Sequence, residues 1–434
     1  MNQTNARMAL KTEPMHDIAA QFRDVYADSF ASGMERFINA YGPRIFQQLN
    51  RALNRERSVI YLFGNGGSHA IGRCLKYALE SYAADHQLPV RVQTGVDVHQ
   101  LSSLTSNSTP GVSFSRLLNT EGANAHDLVI LISGSGESDN LEEAARYAWQ
   151  HGIPTLAFLG SRCGKIAKAL PPEQCYCSPI EDQQVAEDLI QAVSYFFDVG
   201  DEVSAPCWSD VVAHRAEELR QAIKAIPSSF LVGAADLIVN AFFAGQTVWV
   251  YGLDHPALSV TAEHTAHNLY WDSVYQVPNP PRRVISSSPT ACNFTGISND
   301  RRHGVIEYLT GIDEGTSSGG VAVFYAMKHS TMYDRTSLIT QLGKANVTTC
   351  LFVGGIPPAA SLSNVLVHAT GLEDPQMQAG LSQVFGHILG RLVRMKLLNK
   401  NQSPILSSEA QSDARFLIDF DLAQRRLLDD RPKH

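Results

Sequence analysis

The sequence lacks most of what would tie it to nucleic acid, a membrane or an export route. Its 434 residues include 35 Lys and Arg against 43 Asp and Glu, a formal net charge of −8. No basic cluster is interleaved with aromatics, so direct nucleic-acid contact is not expected. The longest apolar runs, "DLVILIS" and "TVWVYG", are strand-length, far short of the roughly 20 residues a spanning helix needs. The opening "MNQTNARMALKTEPMHD" has no apolar core of the secretory kind, and the expected location is cytoplasmic. Cysteine is scarce: seven, an odd number scattered along the chain, make no disulfide framework. Cys175 and Cys177 stand close together with no second pair at zinc-finger spacing, so they read as reduced cysteines near a strand end. What is present is a 44% hydrophobic, 18% charged chain, able to bury sizeable cores and long enough for two or three domains of about 150 residues.

Residues 15 to about 55 show helical periodicity, with a break expected at Gly42-Pro43. Short apolar strands then alternate with helical stretches. "SVIYLFG" leads to a helix over 69–84, "PVRVQTG" follows, "DLVILIS" leads to "NLEEAARYAWQHG", "PTLAFLG" leads to a helical "KIAKAL", and a long helix covers about 182–200. Strands separated by helices need crossover connections, which give a parallel sheet covered on both faces. The polar "GDEVSAPCWSD" reads as a linker, and beyond it the order helix, turn, strand and glycine loop begins again at 231–254. The expected organisation is therefore a tandem duplication of doubly wound αβα domains, each with a mainly parallel five-stranded sheet. Its spans are 15–200, a linker at 201–212, a second domain at 213–400, and a tail at 401–434 that resembles one amphipathic helix.

Two turns in the first half carry chemistry. In "FGNGGS", residues 63–68, a strand breaks into glycines and turns at once into a helix. Gly64, Gly66 and Gly67 permit positive φ and close approach to a ligand, and Ser68 stands at the mouth of the helix. Unpaired amides and the positive end of the helix dipole make that mouth an anion site. In "ISGSGES", residues 132–138, Ser133, Ser135 and Ser138 alternate with glycines at a second strand end and form a cup of short donors suited to phosphate oxygens. An ordinary turn with Ser138 as a helix cap has the same appearance. Two such loops on neighbouring strands are harder to explain that way, because the carboxyl edge of an open α/β sheet is where ligands bind.

"GNGGSHA" followed by "DLVILISGSGESDNLEEAARYAWQHGIPTLAFLG" resembles the sugar isomerase (SIS) domain, and most nearly the phosphoheptose isomerases with their GNGGS and S-T-S-G-N-S loops. The resemblance is good over about 35–200. It is weaker over about 215–400, where it rests on "AGQTVWVYG", "AEHTAHNL", "SNDRRHG" and the final helix. It implies a phosphorylated sugar as ligand, a homo-oligomer, and roles for Asn65, Gly67, Ser68, Ser133, Ser135 and Ser138 in holding the sugar phosphate. The family's metal, commonly zinc, sits on four positions that here fall on Cys74, Ala78, Ala186 and Ser194, none of which matches. The first half thus keeps the grip and loses the chemistry.

The second half reverses the losses. His264 falls on the family's metal histidine and Asn268 on its catalytic glutamate, and Asp300 matches an acidic turn residue. Lys328 and Ser330 stand where the serine loop would be, as a point charge and a donor for an anion. His264 and His267 share a helix face, whereas Gln378 and His387 are nine apart where the family has eight. His264, His267 and His387 are the candidate zinc ligands, and His264, His387 and Asp300 the candidate catalytic residues. Two functions stay open: a phosphosugar aldose–ketose isomerase whose halves divide the labour, or a sugar-phosphate-binding regulator without catalysis. A third chemistry, amino transfer or ether cleavage, would need a carboxylate near the serine loop, for which Glu137 and Asp139 are candidates.

Overall fold

Strands buried on both faces must be apolar at nearly every position, and the apolar runs form two such sheets. In the computed structural model the described residues are 3–95, 113–202, 207–253, 255–274, 283–286, 319–327, 342–343, 346–354 and 365–400. The first sheet holds β1 (Val59–Gly64), β2 (Arg91–Thr94), β3 (Leu128–Ser133), β4 (Thr155–Leu159) and β5 (Cys175–Cys177), in the order β2-β1-β3-β4-β5. The second holds β6 (Thr247–Gly252), β7 (Arg283–Ser286), β8 (Gly320–Ala326), β9 (Val347–Val353) and β10 (Val365–Ala369), in the order β10-β9-β8-β6-β7. Read from its other edge, that is the first order repeated, and every pairing in both sheets is parallel. The helices are α1 (Gln3–Leu53), α2 (Gly67–Asp85), α3 (Ser113–Glu121), α4 (Asp139–Gln150), α5 (Gln183–Gln191), α6 (Trp208–Lys224), α7 (Ser228–Phe243), α8 (Pro256–Val274) and α9 (Pro375–Lys400). These are two tandem doubly wound α/β domains.

By contact the chain groups into two compact units, Phe30–Leu219 and Met1–Ser29 together with Arg220–His434. In the first, Tyr61, Phe63, Val129, Leu131, Ala157 and Leu159 alternate along three strands into one core with Phe114 and Leu118 of α3 and Leu141 and Ala145 of α4. Phe63 stacks on Phe114 with centroids 4.6 Å apart. On the opposite face Phe158 meets Phe37 of α1, and Gly72 brings α2 against Leu62 and Ile132. In the second unit Trp249, Tyr251, Ala322, Phe324 and Leu351 share a core, while on the other face Phe352 stacks on Phe385 of α9 at 4.4 Å. Each large side chain so buried contributes roughly 1.5–3 kcal/mol.

Three expectations about elements need correction. Helix α1 runs without a break through Gly42-Pro43. Gly42 serves packing instead: a Cβ there would lie 3.0 Å from the Trp208 indole, and burial of Ile38, Ile45 and Phe46 overrides the local propensity. The helix expected over 182–200 is α5 followed by a 3-10 segment, Ala192–Glu202, in which Val193, Tyr195, Phe196 and Phe197 are all buried. "KIAKAL" forms only a 3-10 turn, Ile166–Lys168, a length at which that geometry is usual. Trp208 opens α6 inside the stretch read as a linker, and residues 401–434, read as an amphipathic tail, lie outside the described residues. No single helix among the described residues is long and apolar enough to cross a membrane.

Candidate functional site

Strand β1 ends at Gly64, directly paired with Ile132 of β3, so the two suspected loops leave neighbouring strands side by side at the carboxyl edge of the sheet. The first turns tightly because Gly64 has no side chain: a Cβ would fall 2.6 Å from the Ser68 backbone. Of the three glycines expected to permit positive φ, only Gly66 adopts it, at 53°, as the N-cap of α2; Gly67 is already helical. Neither α2 nor α4 has a side-chain cap hydrogen bond at its N-terminus. Ser138 occupies the cap position of α4 without capping it, so the bland reading of that serine fails. Both helix mouths keep the character of anion sites.

The loops are tied to each other. Asn65 Nδ2 donates to Asn140 Oδ1 at 2.9 Å and Asn140 Nδ2 returns the bond to Asn65 Oδ1 at 3.0 Å. Within the second loop the Ser133 hydroxyl accepts from the Gly136 amide at 3.0 Å, and that of Ser135 from the Glu137 amide at 3.2 Å. Behind both loops lies α5, started by Asp182, which accepts from the Gln184 and Val185 amides. Gln183 and Glu187, four apart, share its inner face. Ser68 Oγ donates to Glu187 Oε1 at 3.4 Å, and so does Gln183 Nε2. The Gln183 side chain lies 2.7 Å from where a Gly134 Cβ would sit. Ser68 from one loop and Gly134 from the other therefore meet one helix face, at a carboxylate only 5% exposed.

Glu187 was not among the expected residues. Its signal in the sequence is the acidic pair Glu187-Asp188 inside the mostly apolar "VAEDLIQAV", since buried carboxylates are uncommon without a role. The carboxylates considered in its place face outward: Glu137 and Asp139 are exposed, and Asp139 pairs with Lys165. Lys165 also reaches Glu142 at 3.4 Å, whose carboxyl is held below its usual range by the Arg146 hydrogen bond first and by Lys165 after it.

A third loop braces the serine loop from behind. The Gly160 amide donates to the Ser133 carbonyl at 3.0 Å and the Ile166 amide to that of Gly136 at 3.1 Å. A Cβ on Gly160 would lie 1.9 Å from the Gly134 oxygen, and one on Gly136 would lie 2.3 Å from that of Cys163. Cys163 is joined to Cys177 of β5 by a disulfide, with Cα atoms 5.7 Å apart. The expectation that Cys175 and Cys177 are both reduced is thus half corrected. The partner comes from the loop after β4, which parallel pairing brings beside β5, while Cys175 keeps a thiol whose pKa burial pushes up.

The second unit repeats the tight exit. A Cβ on Gly252, at the end of β6, would fall 2.0 Å from the Leu258 backbone, as at Gly64. His264 of α8 and His387 of α9 are brought together, their rings 5.1 Å apart and edge to face, with nitrogens within 4.8 Å of each other. Both are buried, at 3% and 1% exposure. Tyr26 Oη lies 3.3 Å from His387 Nδ1. The His264 pKa is pushed down to about 3, by burial first and by His387 next, so its ring is neutral at neutral pH. Neutral imidazoles are donors of the kind zinc takes, though no cofactor is established. His267, by contrast, is exposed. At about 100° per residue, positions three apart differ by some 60°, and the boundary between core and surface runs between these two. Gln378 is engaged with Thr370 at 2.6 Å and Ser382 at 3.4 Å. Cys74, Ala78, Ala186 and Ser194 are buried in the core of the first unit. Asp300, Lys328 and Ser330 lie outside the described residues.

A doubly wound parallel sheet with paired glycine and serine loops at its carboxyl edge defines the class of sugar isomerase folds. Residues 46–160 match the SIS domain family. The chain is 34% identical over 111 residues to the probable phosphoheptose isomerase of Thermoplasma volcanium, a stretch making up 25% of this chain and 56% of that protein; the match spans little more than half of that relative. In fold it is similar to the C-terminal domain of glucosamine-fructose-6-phosphate aminotransferase from Francisella tularensis (TM-score 0.53, 12% identity, 87% of this chain and 96% of that one). It is also similar to a putative sugar binding protein from Salmonella typhimurium LT2 (0.54, 14%, 84% and 98%) and to tagatose-6-phosphate ketose/aldose isomerase from Escherichia coli (0.51, 12%, 88% and 95%). Residues 46–160 thus form an SIS domain, the second sheet repeats its strand order, and over the matched stretch the chain resembles a phosphoheptose isomerase.

Proposed function

We propose that the chain interconverts the aldose and ketose forms of a sugar phosphate, with the Phe30–Leu219 unit as its grip. The phosphate rests among Ser68, Ser133, Ser135 and Ser138 and the mouths of α2 and α4, where amide dipoles favour a dianion. Asn65, engaged with Asn140, holds the two loops at a fixed spacing. The observation that carries the reading is the contact of Ser68 with the buried Glu187 where both loops meet α5. Glu187 is the base: it takes the proton from C2 of the open-chain aldose, leaving an enediolate, and delivers it to C1, while the hydroxyl proton passes from O2 to O1. A positioned carboxylate of this kind supplies roughly 10²–10⁴-fold. His264, His387 and Asp300 stand as the second unit's proposed acid–base residues, with His264 and His387 as its proposed zinc ligands, the exposed His267 dropping out of that set, and Lys328 as an anion contact. The same reading expects a cytoplasmic homo-oligomer.

The test is a thermal-shift screen of phosphorylated C5 to C8 sugars, followed by proton exchange from D2O into each hit. The wild type incorporates deuterium at C1 or C2, and Glu187→Gln loses about 10²-fold or more of that exchange while keeping its ligand-induced shift. A second reading, a regulator that binds sugar phosphate without turning it over, is favoured by the loss of all four family positions at Cys74, Ala78, Ala186 and Ser194. Binding without exchange for every hit selects it.

A further inference from the structure

The cysteine pair beside the serine loop takes no part in the proposed proton transfer. Cys163 and Cys177 are both only half-buried, so a small reductant reaches them. Cys163 takes φ 57°, a left-handed conformation that a residue with a Cβ holds only where its surroundings impose it. Its neighbours impose it from two sides. The bond to Cys177 anchors it to β5, and its carbonyl and Gly164 are pressed against the backbone of Gly136. Gly136 is the centre of the serine loop, and its amide is the one donated to Ser133. A Cys163 freed from Cys177 relaxes toward negative φ and moves the oxygen on which Gly136 is seated.

We propose that Cys163–Cys177 is a reversible thiol site through which a dithiol reductant controls the serine loop: oxidised, the loop is braced and holds phosphate; reduced, it loosens and holds phosphate weakly. A reductant thiolate attacks one sulfur and forms a mixed disulfide, and the departing cysteine thiolate takes a proton. The second reductant thiol then attacks the mixed disulfide and releases the other cysteine. Two electrons and two protons pass from the dithiol, which leaves as a disulfide. Cys175 belongs to the same core cluster as the pair. Burial keeps it as a thiol rather than the thiolate that exchange requires, so it does not scramble the pair.

The phosphate half of this inference rests on the function proposed above, and the loop half does not. The full chain is prepared air-oxidised and after treatment with dithiothreitol, and its thiols are mapped by mass spectrometry. Two quantities are then read: hydrogen exchange of the 132–140 segment, and the apparent affinity for inorganic phosphate from thermal shift. Oxidised protein is expected to show the Cys163–Cys177 link, and reduction to speed exchange in that segment about tenfold and weaken phosphate about tenfold. Cys163→Ser and Cys177→Ser should behave as reduced protein in either condition, and Cys175→Ser as wild type. Absence of the link under air, or equal exchange in the two states, overturns the inference. Redox-dependent exchange with no phosphate response in either state keeps the switch and removes the phosphate reading. Three free thiols that bind zinc in place of a link also refute it.

Discussion

Gly160→Ala tests the glycine with least room for a side chain among the described residues. A Cβ at that position sits 1.9 Å from the Gly134 carbonyl oxygen, where real Cβ contacts stay beyond 3.0 Å, and the obstacle is backbone, so no side chain can swing away. The loops must part by about 1 Å, an overpacking that costs about 1–3 kcal/mol. The Gly160 to Ser133 hydrogen bond, worth about 1 kcal/mol, goes with it. A total near 3 kcal/mol lowers the melting temperature of a unit this size by roughly 6–12 °C. Gly152→Ala is the control. Its φ of 66° strains an alanine, but nothing lies within 4 Å of the added methyl, so only about 1 kcal/mol and 2–4 °C are expected. Differential scanning calorimetry of the two variants decides. If Gly160→Ala melts within about 2 °C of Gly152→Ala, the two loops do not touch as described and the braced serine loop is wrong.

Ser68→Asp places a carboxylate at the mouth of α2 and beside Glu187; it should abolish the thermal shift given by any phosphorylated sugar that stabilises the wild type, and an undiminished shift would remove Ser68 from the site. His368, packed against Phe230 and Phe352, has its pKa lowered to about 4 by burial. A depressed histidine stabilises above its unfolded pKa, about 6.5, and that contribution is lost as pH falls from there toward 4. Urea melts at pH 7 and pH 5 should therefore show His368→Leu losing less stability on acidification than the wild type, by about 1 kcal/mol once partial solvation is allowed for. Equal losses would contradict the buried neutral ring. Phe352→Ala removes a fully buried ring stacked on Phe385 and should cost about 3–5 kcal/mol in the same urea melts, a value below 1 kcal/mol speaking against that packing.

Strands were the most legible part of the sequence, because a parallel strand buried on both faces announces itself as an unbroken apolar run, as in "DLVILIS". The two ligand loops were legible for a related reason: Gly64 and Ser138 stand at strand-to-helix turns, where residue type is dictated locally. What escaped depends on contacts between distant segments. Gly42 looked like a helix breaker because nothing nearby in sequence shows the Trp208 ring it makes room for. Cys163 and Cys177 are 14 residues apart and meet only once β4 and β5 pair. Glu187 sits next to a position that the family resemblance assigned to a metal ligand, and that assignment drew attention past it. His264 and His267 looked equivalent by spacing. Only the packing of α8 on its neighbours separates the buried ring from the exposed one.

The grouping of Met1–Ser29 with the unit that begins at Arg220 bears on how the chain is made. Tyr26 finds His387 across 361 residues, and Arg391 lies over the Phe22 ring at 5.5 Å. At about 5–20 residues per second on the ribosome, the part of α1 before Phe30 waits roughly 20–70 s for those partners, long enough for the central unit to fold first. Phe22 and Tyr26, buried in the finished fold, are uncovered throughout that interval, a natural handle for a chaperone. A clone started at residue 30 would forfeit the late-folding unit rather than the early one.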